Sequence, residues 1–394
     1  MDNAVIAGYV RTPISRSRPD QPDKDIFNGL RADDLAITCI NELLKRTGVP
    51  AAQVDDCLIG CAFAVNENWT DGGRLVTLSA GLPFELPATC IDRQCASSLT
   101  TIQVGAMEIM TGTAGNGIVL AGGMEHMTRV PMSLLGSMKI NEKFMNDPRF
   151  DAQIALSMGL TAEKLFAESG LKKADMDAWA LRSHLRAAQA VKDGYFAGEI
   201  VPIEVKTSDG KKQTIKDDQS IREDTTMEKI AGLKPAFRDG GAITAGNSSP
   251  LNAGAAFTLL ASKKAAEKHG LKPMAKIKAM GVAGVDPTVM GKGPVPASKK
   301  VLEKAGLKAK DVDFWEINEA FAIVPLYAIK ELGLDPERVN IKGGAIAIGH
   351  PLGASGARIT GTLARILAEK SARYGIATLC VGGGQGAAIL LERD

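Results

Sequence analysis

One histidine and two cysteines at turns of the chain are of the residue types that perform nucleophilic and acid–base chemistry. His350 lies in Gly349-His-Pro-Leu-Gly353, between an apolar run at 345–348 and a helical pattern that includes Ile359 and Leu363. This order predicts a strand, a glycine-rich turn and a helix start, which would place the imidazole near amides that favour negative charge. A tight turn with a surface histidine is the simpler interpretation of this segment taken alone.

The chain matches itself at an offset of 258 residues (353 − 95), and this register brings in a cysteine. Cys95-Ala-Ser-Ser98 aligns with Gly353-Ala-Ser-Gly356. Further aligned pairs are Gly48 with Gly306, Val54-Asp55 with Val312-Asp313, Ala62-Phe-Ala64 with Ala320-Phe-Ala322, and Ile118-Val-Leu120 with Ile376-Ala-Thr378. One register across roughly 75 residues predicts two copies of a single α/β unit.

The repeat predicts how the chain divides into domains. Residues 1–120 with 251–273 form the first half of the core, and residues 274–394 form the second half. Residues 121–250 have no counterpart in the repeat, so we expect an inserted loop domain there. The copies differ at positions that could react: Cys95 against Gly353, Asp92 against His350, and Gly122 against Cys380. Two copied turns that face each other would bring both cysteines and the histidine to one site.

Bulk properties exclude several classes of function. The 394 residues include 47 basic and 45 acidic ones, so no global field favours nucleic acid or an anionic membrane. No window of 18 uninterrupted apolar residues predicts a membrane span, and no secretion signal is visible at Met1. Cys57 and Cys61 lack nearby histidines, which argues against a metal site, and six free thiols indicate a reducing, cytoplasmic location.

Apolar runs that alternate with helical patterns predict a mainly parallel sheet covered on both faces. The predicted strands are 5–10, 58–65, 89–91, 118–123 and 275–280, and the predicted helices are 35–44, 71–80, 96–110, 159–168, 175–193 and an alanine-rich one from Ala253. A Rossmann nucleotide site is not expected, because no Gly-x-Gly-x-x-Gly follows the first strand.

Ordered motifs across the whole chain resemble those of the thiolases. The motifs are Gln94-Cys-Ala-Ser-Ser98, Gly122-Gly-Met-Glu-His-Met127, Gly159-Leu-Thr-Ala-Glu163, Leu233-Lys-Pro-Ala-Phe237, Gly291-Lys-Gly-Pro-Val-Pro-Ala297, Asn318-Glu-Ala-Phe-Ala322, Gly349-His-Pro351 and Cys380-Val-Gly382. The resemblance implies a thiolase-like α/β fold with duplicated halves, a layered α-β-α-β-α core and an inserted loop domain that binds coenzyme A.

Within the family, the chain resembles most closely the degradative 3-ketoacyl-CoA thiolases. Ser98 stands where most thiolases have glycine, and Ser157 stands where biosynthetic acetoacetyl-CoA thiolases commonly have histidine. The chain departs from the family at Asp92, where asparagine is usual, and at Ala253, where aspartate is usual.

The resemblance also implies roles for individual residues. Cys95 would be the nucleophile that carries the acyl group, His350 would activate it, and Cys380 would be the acid and base at the α-carbon. Asn318 would position a water that forms one oxyanion hole with His350, and the amides of Cys95 and Gly382 would form the other.

Five further residues match family positions around the substrate. Arg222 and Ser249 match positions near the adenine–ribose and pantetheine parts of coenzyme A. Met158, Met290 and Phe321 match residues that line the acyl pocket. The resemblance implies coenzyme A as co-substrate, no permanently bound cofactor, and no metal. It also implies a homodimer or a dimer of dimers, and it leaves open a partner subunit of a fatty-acid oxidation complex.

Three other functions are compatible with parts of the pattern. A short-chain acetoacetyl-CoA thiolase would work in the condensing direction. A ketoacyl synthase shares the duplicated architecture but pairs its cysteine with two histidines or with histidine and asparagine, so Cys380 in Cys-x-Gly favours a thiolase. A non-catalytic relative that binds coenzyme A or lipid would have lost a reacting residue, and all four are present.

Overall fold

The computed structural model describes residues 4–207 and 210–393. The strands are β1 Ala4–Arg11, β2 Ser15–Arg16, β3 Asp56–Gly60, β4 Ala88–Ile91, β5 Ile118–His126, β6 Ile203–Lys206, β7 Lys212–Ile215, β8 Asn252–Ser262, β9 Ala275–Gly284, β10 Phe314–Ile317, β11 Tyr374–Val381 and β12 Gln385–Glu392. The helices are α1 Ala32–Thr47, α2 Arg74–Ser79, α3 Ser97–Thr111, α4 Glu142–Met145, α5 Ala152–Leu156, α6 Met158–Ser169, α7 Lys173–Lys192, α8 Met227–Ala231, α9 Lys263–Lys268, α10 Pro294–Ala305, α11 Ile323–Leu332, α12 Ala345–Ile348 and α13 Leu352–Lys370.

Most of the described strands belong to one sheet, in the order β10-β11-β12-β9-β1-β8-β5-β3-β4, with β2 paired to β8. Eight strands of this order are symmetric about the β9–β1 pair, because β10, β11, β12 and β9 correspond to β3, β5, β8 and β1, and β4 extends the first half by one strand. The two half-sheets meet where Val5 and Ile6 of β1 pair with Lys276 and Ala275 of β9. The sheet is mixed, so the prediction of a mainly parallel sheet is wrong: β8 and β12 run antiparallel to their neighbours.

The repeat is visible in local geometry as well as in strand order. Helices α1 and α10 end at Gly48 and Gly306, whose φ angles are 68° and 67°. A left-handed residue at this position favours glycine because it has no Cβ to clash. After each helix, an aspartate at the foot of the next strand accepts two backbone amides. Asp55 accepts those of residues 116 and 118, and Asp313 accepts those of residues 373 and 374.

The core has the predicted five layers. Helices α3 and α13 pack against each other and against strands of both half-sheets, while α1 packs on β8 and α10 on β12 and β9. The first thirteen residues of α13 are all buried. The close approach of the two central helices requires a glycine, because a Cβ on Gly356 would lie 2.2 Å from the backbone nitrogen of Leu99.

Two predicted elements are wrong. The apolar run 345–348 is the one-turn helix α12, not a strand, and it is fixed by tertiary contacts: Ser183 Oγ accepts the amide of Gly344, and Glu319 accepts that of Ile346. The alanine-rich segment from Ala253 is strand β8, not a helix. Every residue of β8 is buried, and a strand buried on both faces lacks the alternation that distinguishes it from a helix.

The segment between the two copies contains α4 to α8 and the β6–β7 hairpin. The predicted boundary at residue 121 falls inside β5, which continues to His126 in register with β8. Buried Arg11 anchors the segment to the core through two hydrogen bonds to Asp218, of 2.7 and 2.9 Å, and one of 2.8 Å to Glu199. Within the described ranges, no helix is long and apolar enough to cross a membrane.

Candidate active site

Cys95 lies in a strained turn at the start of α3, which we call the Cys95 turn (residues 92–97). Gln94 has a φ of +45°, a conformation that non-glycine residues rarely adopt. The carboxylate of Asp92 accepts the amide of Gln94 at 2.7 Å. Ser97 Oγ donates to the carbonyl of Gln94 at 2.6 Å and accepts the amide of Arg93 at 3.0 Å. Side-chain bonds inside the turn therefore offset the backbone strain that places the cysteine.

The thiol of Cys95 is buried, with 7% of the residue exposed. Burial raises its pKa to about 11, and the negative charges of Glu125 and Asp92 act in the same direction. Hydrogen bonding with the backbone of Gly382 and with the residue's own amide opposes this shift. The sulfur therefore lies beside one amide from each copy, and it is a thiol at neutral pH.

Hydrogen bonds fix the tautomer of His350. Ser355 Oγ donates to the carbonyl of Pro351 at 2.9 Å, so it accepts from Nδ1 of the imidazole, 2.6 Å away. Nδ1 therefore carries the proton. The other ring nitrogen, Nε2, lies 3.3 Å from Nδ2 of Asn318 and accepts from that amide. This arrangement leaves Nε2 as the basic nitrogen of the ring.

The imidazole is neutral. Burial lowers the pKa of His350 to about 3, and the positive charge of Arg358 contributes in the same direction. Burial therefore favours the neutral forms of both the Cys95 thiol and the His350 imidazole.

A cavity of about 470 Å³ brings most of the predicted residues together. Its lining includes Cys95, His350, Met158, Ser249, Met290 and Phe321. Arg222 does not line it. That residue lies in a neighbouring cavity of about 390 Å³ with Arg16 and Lys229, and Ser248 and Pro250 line both cavities. The two cavities therefore adjoin, one apolar around the cysteine and one basic.

The other three predicted residues do not line the cavity, but they contact Cys95 or His350 from behind its wall. Cys380 is fully buried in β11; burial, and then the proximity of Cys95, raise the pKa of its thiol well above the ordinary value. Asn318 follows β10, and its backbone amide donates to the carbonyl of Thr378 at 3.0 Å. Within the part of the chain that the structure describes, its Oδ1 has no hydrogen-bond partner. Gly382, directly after β11, approaches the Cys95 turn through its backbone.

Sequence reasoning missed the residues that hold these groups in place. Asn252 Oδ1 accepts the amide of His350 at 2.8 Å. Glu319 accepts hydrogen bonds from the side chains of Trp179, Ser183 and Asn340 and thereby fixes the loop after Asn318. Glu319 is the second residue of the Asn318-Glu-Ala-Phe-Ala322 motif, and a charged residue among apolar neighbours there could have indicated a buried carboxylate with hydrogen-bond partners. Among the described residues, no group of histidine, cysteine and carboxylate side chains is arranged to hold a metal ion.

Comparisons with known proteins place these features in a family. A family model described as "Thiolase, N-terminal domain" matches residues 4–264, and one described as "Thiolase, C-terminal domain" matches residues 271–393. The 3-ketoacyl-CoA thiolase of Saccharophagus degradans is 42% identical over 99% of this chain and 98% of its own. That of Klebsiella pneumoniae is 42% identical over 100% of both chains.

Two solved structures are similar over nearly their whole length. The Bacillus anthracis acetyl-CoA acetyltransferase has a TM-score of 0.86 at 38% identity and covers 100% of this chain and 99% of its own. The human mitochondrial 3-ketoacyl-CoA thiolase has a TM-score of 0.88 at 35% identity and covers 99% of this chain and 98% of its own.

Proposed function

Because the chain belongs to the thiolase family of acyltransferases, we propose that it cleaves 3-ketoacyl-CoA with coenzyme A, yielding acetyl-CoA and an acyl-CoA two carbons shorter. One observation carries the proposal. The Cys95 sulfur lies between an amide of each copy, in a cavity that His350 also lines. The names of the curated relatives support 3-ketoacyl-CoA as the substrate.

In the first half-reaction, Nε2 of His350 takes the thiol proton as the Cys95 sulfur attacks the 3-keto carbon. The amides of Cys95 and Gly382 hold the resulting oxyanion, and each such donor contributes about 3 kcal/mol. The bond between C2 and C3 then breaks and leaves the acyl group on sulfur. Cys380 protonates C2 of the departing enolate, which gives acetyl-CoA and a Cys380 thiolate.

The enolate oxygen needs its own donors while this bond breaks. His350, now protonated at Nε2, donates one hydrogen bond, and a water held by Asn318 donates another. The unpartnered Oδ1 of Asn318 supports this role because it can accept from that water.

In the second half-reaction, the Cys380 thiolate takes the thiol proton of coenzyme A. The coenzyme A sulfur attacks the acyl group, and Cys95 leaves and recovers its proton from His350. The two half-reactions share one acyl-enzyme, so ping-pong kinetics are expected. The neutral resting pair supports this order, because charge separation then occurs only with substrate bound.

We propose that residues 121–250 hold coenzyme A. Arg16, Arg222 and Lys229 line the basic cavity together with Asp224, which is paired with Lys229 at 3.1 Å, so the two arginines supply the positive charge that the phosphates require. Ser248 connects this cavity to that of Cys95. Ser249 lies where the pantetheine arm would pass, and Met158 lies in the wall of the acyl cavity. The proposal includes coenzyme A as a co-substrate that leaves after each turnover.

We also propose a homodimer that forms through β4. This strand ends the sheet, so its outer edge can pair with another strand. Beside it Phe84 is 82% exposed, and Trp69, Leu75 and Leu78 are exposed as well. Exposed apolar side chains near a free sheet edge support a two-fold interface. Phe84→Glu is expected to shift the protein from dimer to monomer in light scattering, and an unchanged mass would contradict this interface.

The proposal also includes assembly beyond the dimer and a cytoplasmic location. A dimer of dimers, or a complex with a hydratase/dehydrogenase partner of fatty-acid oxidation, would leave the β4 interface intact. Six cysteines without disulfides suit a reducing, cytoplasmic compartment.

The decisive experiment compares kcat/KM for cleavage of acetoacetyl-CoA, 3-ketohexanoyl-CoA and 3-ketodecanoyl-CoA by coenzyme A. Higher values for the longer chains are expected. Preference for acetoacetyl-CoA alone would reassign the chain to the acetyl-CoA acetyltransferases. Cleavage of none of the three would contradict an enzymatic function and favour a binding relative.

A further inference from the structure

Glu125 is a fully buried carboxylate for which the reaction above has no use. One of its oxygens, Oε2, accepts the amide of Ala62 at 2.9 Å and the amide of Gly353 at 3.0 Å. The other, Oε1, accepts Nδ2 of Asn68 at 2.9 Å and lies 3.6 Å from the Cys61 sulfur. Only 1% of the residue is exposed. Two backbone amides on one oxygen are the arrangement of an oxyanion hole.

The repeat accounts for one of the two amides, that of Gly353. Gly353 is the residue that corresponds to Cys95. Cys95 lies two residues before the central helix α3, and Gly353 is the second residue of the central helix α13. In the first copy, the amide of Cys95 faces its own sulfur, where the acyl group reacts. In the second copy, the amide of Gly353 faces the carboxylate of Glu125. Equivalent positions of the repeat therefore present a backbone amide to the proposed substrate in one copy and to the chain's own anion in the other.

Packing leaves no room for a substrate at this second position. A Cβ on Gly353 would lie 2.2 Å from the carbonyl oxygen of Met124, and one on Gly123 would lie 2.2 Å from that of Gly353. Three backbone segments converge here, since Gly60 contributes a carbonyl at 2.5 and 2.7 Å from the same two positions. The amides of Ala62 and Gly353 are therefore reached by a side chain of β5, that of Glu125.

We propose that Glu125 fills the second anion hole of the duplicated fold, and that it acts as a positioning residue for the thiolase site by tying the Gly353 turn (residues 349–354) to the loop after β3. This inference rests on the proposed function only for its effect on turnover. Without the carboxylate, the amides of Ala62 and Gly353 lose their acceptor, and an unsatisfied buried amide is costly. A cavity with two such donors would accept a small carboxylate, for which formate is the probe.

The charge of Glu125 gives a second readout. Burial raises the pKa of Glu125 to about 7, and hydrogen bonds from Ala62 and Gly353 oppose the shift. Its negative charge also raises the pKa of Cys95, after the larger effect of burial. Removing that charge while keeping the side-chain shape is therefore expected to make the Cys95 thiolate more accessible at a given pH.

The test uses Glu125→Ala and Glu125→Gln in the full chain. Glu125→Ala is expected to lower Tm and kcat, and formate is expected to restore both in part, whereas equal ionic strength of chloride is not. Glu125→Gln is expected to raise the rate of Cys95 alkylation by iodoacetamide at pH 8 several-fold. Asp55→Ala is the matched control, because it also leaves two backbone amides without their carboxylate acceptor but at the far end of β3.

The outcomes separate this proposal from a general structural role. Formate that restores Asp55→Ala equally, or fails to restore Glu125→Ala, would overturn the anion hole. If Glu125→Ala does not fold, Glu125→Met replaces it, because methionine fills the space and accepts neither amide; wild-type kcat in that variant would overturn the positioning role. An alkylation profile of Glu125→Gln identical to that of the wild type would overturn the charge effect. Melting and alkylation need no turnover, so a wild-type chain without thiolysis would refute the proposed function and leave this test intact.

Discussion

The Cys95 turn and the Gly353 turn occupy equivalent positions in the two copies, and both present a backbone amide at the start of a central helix. The Cys95 turn is strained at Gln94 and carries the proposed nucleophile. In the Gly353 turn, the residue equivalent to Gln94 is Leu352, which is already helical, and the residue proposed to react lies earlier, at His350.

The difference shows how a duplicated fold yields a single site. Duplication supplies the same backbone twice, including amides that favour negative charge. In the proposed reaction the side chains have separate tasks: Cys95 of one copy attacks the substrate, and His350 and Cys380 of the other copy transfer protons. The unused amide of Gly353 is occupied by Glu125, so the second position contributes rigidity in place of catalysis.

The largest effect is expected from removing the nucleophile. Cys95→Ala should lower thiolysis and condensation by at least ~10³-fold, because no other group can hold the acyl chain. Intact mass after incubation with an acyl-CoA should show no acyl adduct. Cys90→Ala, on the adjacent strand β4, should retain nearly full activity. Thiolysis by the Cys95→Ala protein would mean that the second copy supplies the nucleophile instead.

The next largest effect tests the division of labour between the copies. Cys380→Ser should lower thiolysis of 3-ketoacyl-CoA by about 10²–10⁴-fold, because serine is a much weaker acid at C2. Loading of Cys95 by an acyl-CoA needs no carbon–carbon step, so the acyl adduct should still form and be visible by mass. Equal loss of adduct and turnover would show that Cys380 also assists the first copy.

A smaller but diagnostic effect concerns pH. The pKa of Cys95 is raised to about 11 and that of His350 is lowered to about 3, so neither ionises near neutrality. Alkylation of free Cys95 by iodoacetamide should therefore rise ~10-fold per pH unit up to pH 9, because the thiolate fraction grows with pH below the pKa. Subtraction of the Cys95→Ala rate removes the other thiols. A plateau between pH 5 and pH 8 would instead indicate a thiolate–imidazolium pair.

Much of this architecture was predicted from the sequence, because the repeat shows the same pattern of residues in both copies. The offset of 258 aligned Gly48 with Gly306 and Asp55 with Asp313. In the structure both glycines end a helix with a left-handed φ, and both aspartates accept two backbone amides. Helices with a polar face, such as α6 and α7, were also predicted near their observed ends. These features depend on local spacing and on glycine conformation, which a sequence displays directly.

The remaining features depend on contacts between distant residues. Strand β8 was predicted as a helix because its alanines are buried on both faces and show no period of two. Helix α12 forms because Ser183 and Glu319 accept its first amides. The tautomer of His350 depends on Ser355, and the separation of Arg222 from the acyl cavity depends on how the insertion folds. No local pattern records such contacts.

The smallest expected effect compares the two scaffold aspartates. Asp55 accepts its two backbone amides on different oxygens, Oδ1 and Oδ2, whereas Asp313 accepts both of its amides on Oδ2. Asp55→Asn must therefore turn an amide nitrogen toward a backbone donor, and it should cost about 1–2 kcal/mol in the free energy of unfolding. Asp313→Asn can place its single oxygen at the shared position and should cost less. Urea denaturation of both variants measures the difference, and a larger loss for Asp313→Asn would show that the copies do not hold their strands in the way these hydrogen bonds indicate.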